Sequence, residues 1–275
     1  MAILRTTLLL GLLTGILLAA GFLFGGMGGM TLALIIAFVM NFAAYWWSDK
    51  IVLRIYRAKP SKDPTLNSIV ENLARKAEIP KPKTYIVPTA VPNAFATGRS
   101  PKHAAVAATQ GLLDHLNKQE IEGVLAHEIA HVKNRDTLVS AMAATIAGSI
   151  SYLAHFAWYS LFWGDSRNSS SLMLLPLVML APFAAMMVQL AISRGREFSA
   201  DYTGAIVSGK PDALASALNK ISTVAKNYPL RGNSATSHMW IVNPFRADSF
   251  SKLFSTHPPI EQRIARLKEL AKEIK

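Results

Sequence analysis

The sequence predicts a mainly α-helical membrane protein with a small antiparallel β-sheet and its polar mass gathered on one side of the bilayer. Three observations lead there. Of the 275 residues 51% are hydrophobic and the mean hydropathy is positive, more apolar than an ordinary soluble domain. No charged residue occurs in 6–48, 137–164 or 168–193, windows long enough for helices to cross hydrocarbon. The 29 Lys and Arg avoid these windows: 14 lie in 49–136 and 13 in 194–275, leaving Arg5 and Arg167.

The first window holds 43 residues, which as one helix at ~1.5 Å each would run about twice the ~30 Å hydrocarbon thickness. It is therefore expected to fold back. Gly25, Gly26, Gly28 and Gly29 supply the break between a span near Leu8 to Phe24 and another near Met30 to Trp47. Small residues at Ala19, Ala20 and Gly21 resemble a signal-peptide end, but the second apolar stretch follows at once, which favours an uncleaved anchor.

Four spans result, dividing the chain into a hairpin (1–48), a polar part (49–136), a second hairpin (137–193) and a polar part (194–275). An even number of crossings leaves both termini on one side. The Lys/Arg bias names that side as the cytoplasm, and the membrane is expected to be the cytoplasmic (inner) one. The +12 net charge then reflects topology and contact with the lipid bilayer rather than nucleic acid, for which no recognition module is present. With no cysteine, thiolate ligands and thiol catalysis are excluded, so any metal must use His and carboxylates.

Along the first polar part, 49–64 is a basic, proline-containing exit behind the interfacial Trp46 and Trp47, and about Leu66 to Ala77 is helical. Short β-prone runs at Thr84–Val87, Ala94–Thr97 and Ala104–Ala108, punctuated by Pro88, Pro92, Gly98 and Pro101, read as an antiparallel meander. From Asn117, with Glu120 three residues on as a capping box, a helix runs to about Asp136. Helices are also expected over Arg194–Ser208, Pro211–Tyr228 and Pro258–Ile274, with a loop-rich stretch from Pro229 to Thr256.

The strongest chemical signal is His127-Glu128-Ile129-Ala130-His131. Residues i and i+4 share one helix face, so both imidazoles can reach one Zn²⁺ at ~2.0–2.1 Å while Glu128 lies beside it as a general base toward a bound water. A third ligand must come from elsewhere. Glu197 would complete a two-His, one-Glu set with the fourth position left for water, and Asp201 one turn on is suited to accept a ligand histidine's free ring N–H. The plainer alternative is that both acids balance Arg194 and Arg196. Topology favours the metal, since His131 lies just before the second hairpin and Glu197 just after it.

These residues, with Pro92-Asn93-Ala94-Phe95-Ala96 and Ser255-Thr256-His257-Pro258-Pro259, resemble the HtpX-type membrane zinc endopeptidases, related to the CAAX prenyl proteases, over almost the whole chain. The resemblance implies a gluzincin-like cytoplasmic metalloprotease domain on four transmembrane helices, one Zn²⁺ per chain, and membrane proteins and other polypeptides as substrates in quality control. It further implies that Asn93, Ala94 and Phe95 bind extended substrate by strand addition, and that His257 donates to the substrate carbonyl or its oxyanion. Taken alone, Asn93 reads as a turn residue after Pro92 and His257 as an exposed histidine leading a helix. Arg263 is expected to pair with an acid. An inactive scaffold with structural zinc is the rival reading, against which the non-ligand Glu128 argues; a prenyl-protein protease stays open, and a transporter fits poorly with spans almost free of charge.

Overall fold

The computed structural model describes residues 2–139, 194–227, 241 and 258–274. Most of the predicted second hairpin, the stretch from Pro229 to Thr256 apart from Ile241, and His257 lie outside the described residues.

The N-terminal helix α1 (Ala2–Ile55) is broken at Gly25 and Gly26. Gly26 adopts φ 57°, ψ −141°, a region open in practice to glycine alone. The two arms fold back on each other: Asn41 Nδ2 donates to Thr14 Oγ1 at 2.9 Å, and a Cβ on Gly21 would sit 2.5 Å from the Gly29 carbonyl oxygen and 2.6 Å from the Ala33 Cβ. Gly25–Trp47 is a helix long and apolar enough to cross a membrane, and Leu32, Ile35, Phe38 and Val39 are exposed along it.

Beyond α1 come β1 (Lys59–Pro60), α2 (Pro64–Lys76), β2 (Lys83–Val87), β3 (Ala94–Thr97), β4 (Ala105–Thr109), α3 (Gln110–His115), α4 (Lys118–Lys133), α5 (Arg194–Ser208), α6 (Pro211–Asn227) and α7 (Ile260–Glu273). Asp63 caps α2, its Oδ1 accepting from the Thr65 and Leu66 N–H groups. The expected capping box opens α4, with Asn117 and Glu120 bonding each other's backbone N–H.

The sheet departs from the expected antiparallel meander. Its order is β1-β2-β4-β3, with β2 parallel to β4, β3 antiparallel to β4 and β1 antiparallel to β2. Two prolines in the 88–93 connection rule out a tight two-residue hairpin. The continuous apolar run of β4, buried at every position, suits a central strand.

The strand pleat divides the core. Ala94, Ala96, Val106 and Ala108 join Leu66, Leu73, Leu125, Ile129, Leu218 and Leu267 in the main cluster. Phe95, Ala105 and Ala107 turn the other way, onto Val52 and Leu53 of α1. The end of α1 therefore packs on one face of the sheet, with Tyr56 and Phe95 ring centroids 5.2 Å apart, and the helical layer on the other. This leaves β3 as the edge strand beside α4.

Gly21→Leu should wedge the arms of α1 apart. Overpacking costs about 1–3 kcal/mol, so a melting temperature several degrees lower is expected in detergent, read by tryptophan fluorescence. An unchanged melt would show that the arms do not depend on this contact.

Candidate metal centre

Helix α4 presents His127, Glu128 and His131, and α5 presents Glu197 and Asp201 against it. Their approach depends on Gly204, where a Cβ would fall 2.8 Å from the His127 backbone nitrogen and 2.9 Å from its Cα. Glu197, Asp201 and Gly204, spaced by four and three, make one stripe along α5, and its smallest member sits where the helices come closest.

The three expected ligands converge. His127 Nε2 and His131 Nε2 are 3.2 Å apart, and Glu197 places its oxygens 3.7 Å from the first and 3.4 Å from the second. Donors at ~2.0–2.1 Å from a shared tetrahedral centre would stand about 3.3–3.4 Å from one another, so the set fits a zinc ion.

The outer nitrogens settle the tautomers. His127 Nδ1 lies 2.9 Å from Asp201 Oδ1 and His131 Nδ1 lies 3.3 Å from Asp136 Oδ2, so both Nδ1–H groups donate to carboxylates. With both rings neutral, two bare Nε2 lone pairs face each other beside a carboxylate, an arrangement that calls for a cation. Each aspartate is answered by an arginine. Arg263 donates through Nε and Nη2 to Asp201, both at 2.7 Å, and its Nη1 stands 3.6 Å from Glu197. Arg196 Nη1 stands 3.5 Å from Asp136.

The electrostatics follow from burial. Glu128, Glu197, Asp201 and Asp136 are all under a tenth exposed, and Arg263 is fully buried. Burial pushes Glu128 up to about 7, with His131 opposing and Glu197 adding to the shift, and the Ala96 backbone N–H of the edge strand also opposing it. Burial holds His127 low. Burial would lower His131 too, but the Asp136 hydrogen bond and the charges of Glu197 and Glu128 outweigh it and raise it to about 9. Burial would raise Asp201, yet Arg263 drives it down to about 2. With both imidazoles neutral and all four carboxylates ionised, as they would be around a bound metal, four carboxylates against two guanidiniums leave a deficit of two charges, the charge of one divalent cation.

The remaining expected residues lie differently. Asn93 opens β3, its N–H donating to Thr109 Oγ1 and its Oδ1 accepting from the Ile241 N–H at 2.9 Å. Ala94 and Phe95 have their side chains in the core, so what they can offer a substrate is backbone. His257 lies outside the described residues. Arg263 pairs with an acid as expected, and the acid is Asp201. Asp136 was not anticipated. It lies just past the end of α4, where Arg135 at φ 60° turns the chain back toward His131. An acid within a turn of a ligand histidine was the available signal.

A buried histidine and a partly buried one a turn further on, a carboxylate from a second helix and an adjacent unligated glutamate define the centre of a metallopeptidase. The model for Peptidase family M48 matches residues 60–271, and the chain belongs to that family. A Protease HtpX homolog of Pyrococcus furiosus is 56% identical over 278 residues, covering 98% of this chain and 96% of its own. Another, of Desulforapulum autotrophicum, is 51% identical over 96% of this chain and 88% of its own. In fold, the chain is similar to S. mikatae Ste24p, with a TM-score of 0.53 and 19% identity over 94% of this chain and 62% of that one. The chain is thus a membrane metalloprotease, and its metal is zinc.

Arg263→Met keeps the side-chain volume but leaves Asp201 buried without its cation. Breaking a buried pair from one side costs about 3–5 kcal/mol, so a large loss of stability in denaturant melts is expected, together with zinc loss. A variant as stable and as zinc-loaded as wild type would show that Arg263 does not hold Asp201.

Proposed function

We propose that this protein hydrolyses peptide bonds of misfolded or membrane-embedded polypeptides at the cytoplasmic face of the membrane, as an endopeptidase of membrane-protein quality control. The observation that carries the reading is Glu128. It is buried beside three convergent metal donors, is not itself a donor, and has no use in a purely structural zinc site.

In this reading His127, His131 and Glu197 hold the zinc, which when bound supplies a Lewis acid that makes water acidic near neutral pH and polarises the scissile carbonyl. Glu128 takes the proton from the attacking water and passes it to the leaving amine. Asp201 and Arg263 fix the His127 ring with its Nδ1 protonated, so that Nε2 stays free for the metal. Substrate lies extended along β3, where Asn93 and the Ala94 and Phe95 backbone bind it. For Asn93 this requires the Ile241 N–H to release its Oδ1. His257, six residues before Arg263 in the sequence, donates to the carbonyl oxygen as it gains charge.

The membrane part follows the charge distribution. Four spans place 49–136 and 194–275, both termini and the metal centre on the cytoplasmic side, and the fold-back of α1 at Gly26 supports the first hairpin. The absence of cysteine gives a clean background for labelling. In intact cells or right-side-out vesicles, Arg167→Cys should react with an impermeant maleimide and Lys102→Cys should not; the reverse pattern would overturn the orientation.

For the activity, wild type and Glu128→Gln are compared on an unfolded membrane-protein substrate in detergent with zinc supplied. Loss of a positioned general base costs about 10²–10⁴ in rate, so cleavage should fall by that factor while zinc stays near one per chain. Equal cleavage by both would refute the role of Glu128. A zinc-loaded wild type that cleaves nothing would favour a scaffold.

A further inference from the structure

We propose that Asp136 and Arg196 form a clip across the two ends of the stretch 137–193 and act as positioning residues for His131. The inference rests on the metal reading above. It adds that zinc affinity is tied to closure of this clip.

Asp136 is the last residue before the apolar window and Arg196 stands three residues after its end at Ser193. Asp136 touches both partners at once, with Oδ2 3.3 Å from His131 Nδ1 and Oδ1 3.5 Å from Arg196 Nη1. The two side chains keep only 11% and 12% of their exposure, so the pair is screened far less than a surface ion pair. Its placement is enforced from both directions. Arg135 takes up a left-handed conformation that costs an L-residue about 1–2 kcal/mol, and Thr137 Oγ1 donates to the Gly98 carbonyl at 2.9 Å, pinning the chain to the loop after β3.

The two histidines are thus held by matching carboxylate–arginine sets that share α5 and differ in their second anchor. His127 is oriented by Asp201 of α5 and Arg263 of α7. His131 is oriented by Asp136, which lies just before 137–193, and Arg196, in the first turn of α5. Arg196 also precedes Glu197, so opening the clip would disturb two of the three donors.

The test is zinc affinity, measured against a chromophoric chelator in detergent, which needs no proteolysis. Loss of a group that orients a metal-bound histidine typically costs 10–100-fold in metal affinity, and Asp136→Ala is expected to bind zinc that much more weakly. Arg196→Gln should lose less. The exchange Asp136→Arg with Arg196→Asp restores an opposite-charge pair but turns a cation toward His131, so it should bind no better than Asp136→Ala. Recovery of affinity by the exchange would show a mere staple between segments and overturn the proposal, as would wild-type affinity in Asp136→Ala. Should Asp136→Ala fail to fold, Asp136→Asn takes its place: a several-fold loss supports the proposal and an unchanged affinity overturns it. A wild type that binds no zinc in this assay would instead refute the metal reading itself, and this inference with it.

Discussion

Buried charge must be answered, and in this protein the answer organises the fold. Glu128, Glu197, Asp201 and Asp136 are all taken out of water within one cluster, where an unpaired carboxylate costs several kcal/mol. Arg263 and Arg196 neutralise part of that charge, and with both imidazoles neutral the remainder equals one divalent ion. The cluster is stable as a whole only when α4, α5 and α7 are all in place. Gly204 lets the first two touch, and α7 brings Arg263 between them with no exposed surface. Since no such arrangement exists in an unfolded chain, metal binding and folding of this layer are linked.

The sheet has a different task. Each of its strands near the centre is pleated between two packed layers, so β3 is held from both faces and keeps one edge toward α4. The Ala96 N–H favours the ionised Glu128 carboxylate. The same strand is tied to the hairpin through Tyr56 on Phe95, and the loop after it through Arg99, whose guanidinium lies 4.5 Å over the Trp46 ring. Such a cation–π contact contributes about 0.5–1 kcal/mol at an exposed site, a small term that acts where α1 leaves its apolar stretch. The edge strand is consequently positioned by contacts from the metal layer on one side and from α1 on the other.

How legible this was in the sequence depends on the range of each signal. That His127 and His131 meet on one face could be read because i, i+4 spacing translates directly into a shared helix face, and the capping box at Asn117 and Glu120 is equally local. Asp201 and the pairing of Arg263 with an acid were legible from chemical need, although which acid was not. The order of the sheet was hidden, because alternation and turn residues locate strands without saying which pair, and β4 enters between β2 and β3 only through tertiary packing. Asp136 was hidden for a narrower reason: its contact with His131 depends on a single left-handed residue, Arg135, and arginine carries no signal for that conformation.

The place of the centre along the chain has a consequence for the substrates proposed above. His131 lies six residues before the start of the apolar stretch at Thr137, and Glu197 four residues after its end at Ser193. At ~1.5 Å per helical residue, neither ligand can stand much more than about 10 Å from the point where the chain enters or leaves that stretch. With the proposed topology, the scissile bond must come to within that distance of the bilayer surface. A folded domain held well above the membrane could not present one, whereas a loop beside a transmembrane segment, or a chain that has lost its fold, could lie along β3 without unfolding the enzyme. Selection by reach and by extended conformation then needs no deep side-chain pocket. This agrees with the burial of Ala94 and Phe95 in the core, which leaves backbone as what those positions of the edge strand can offer.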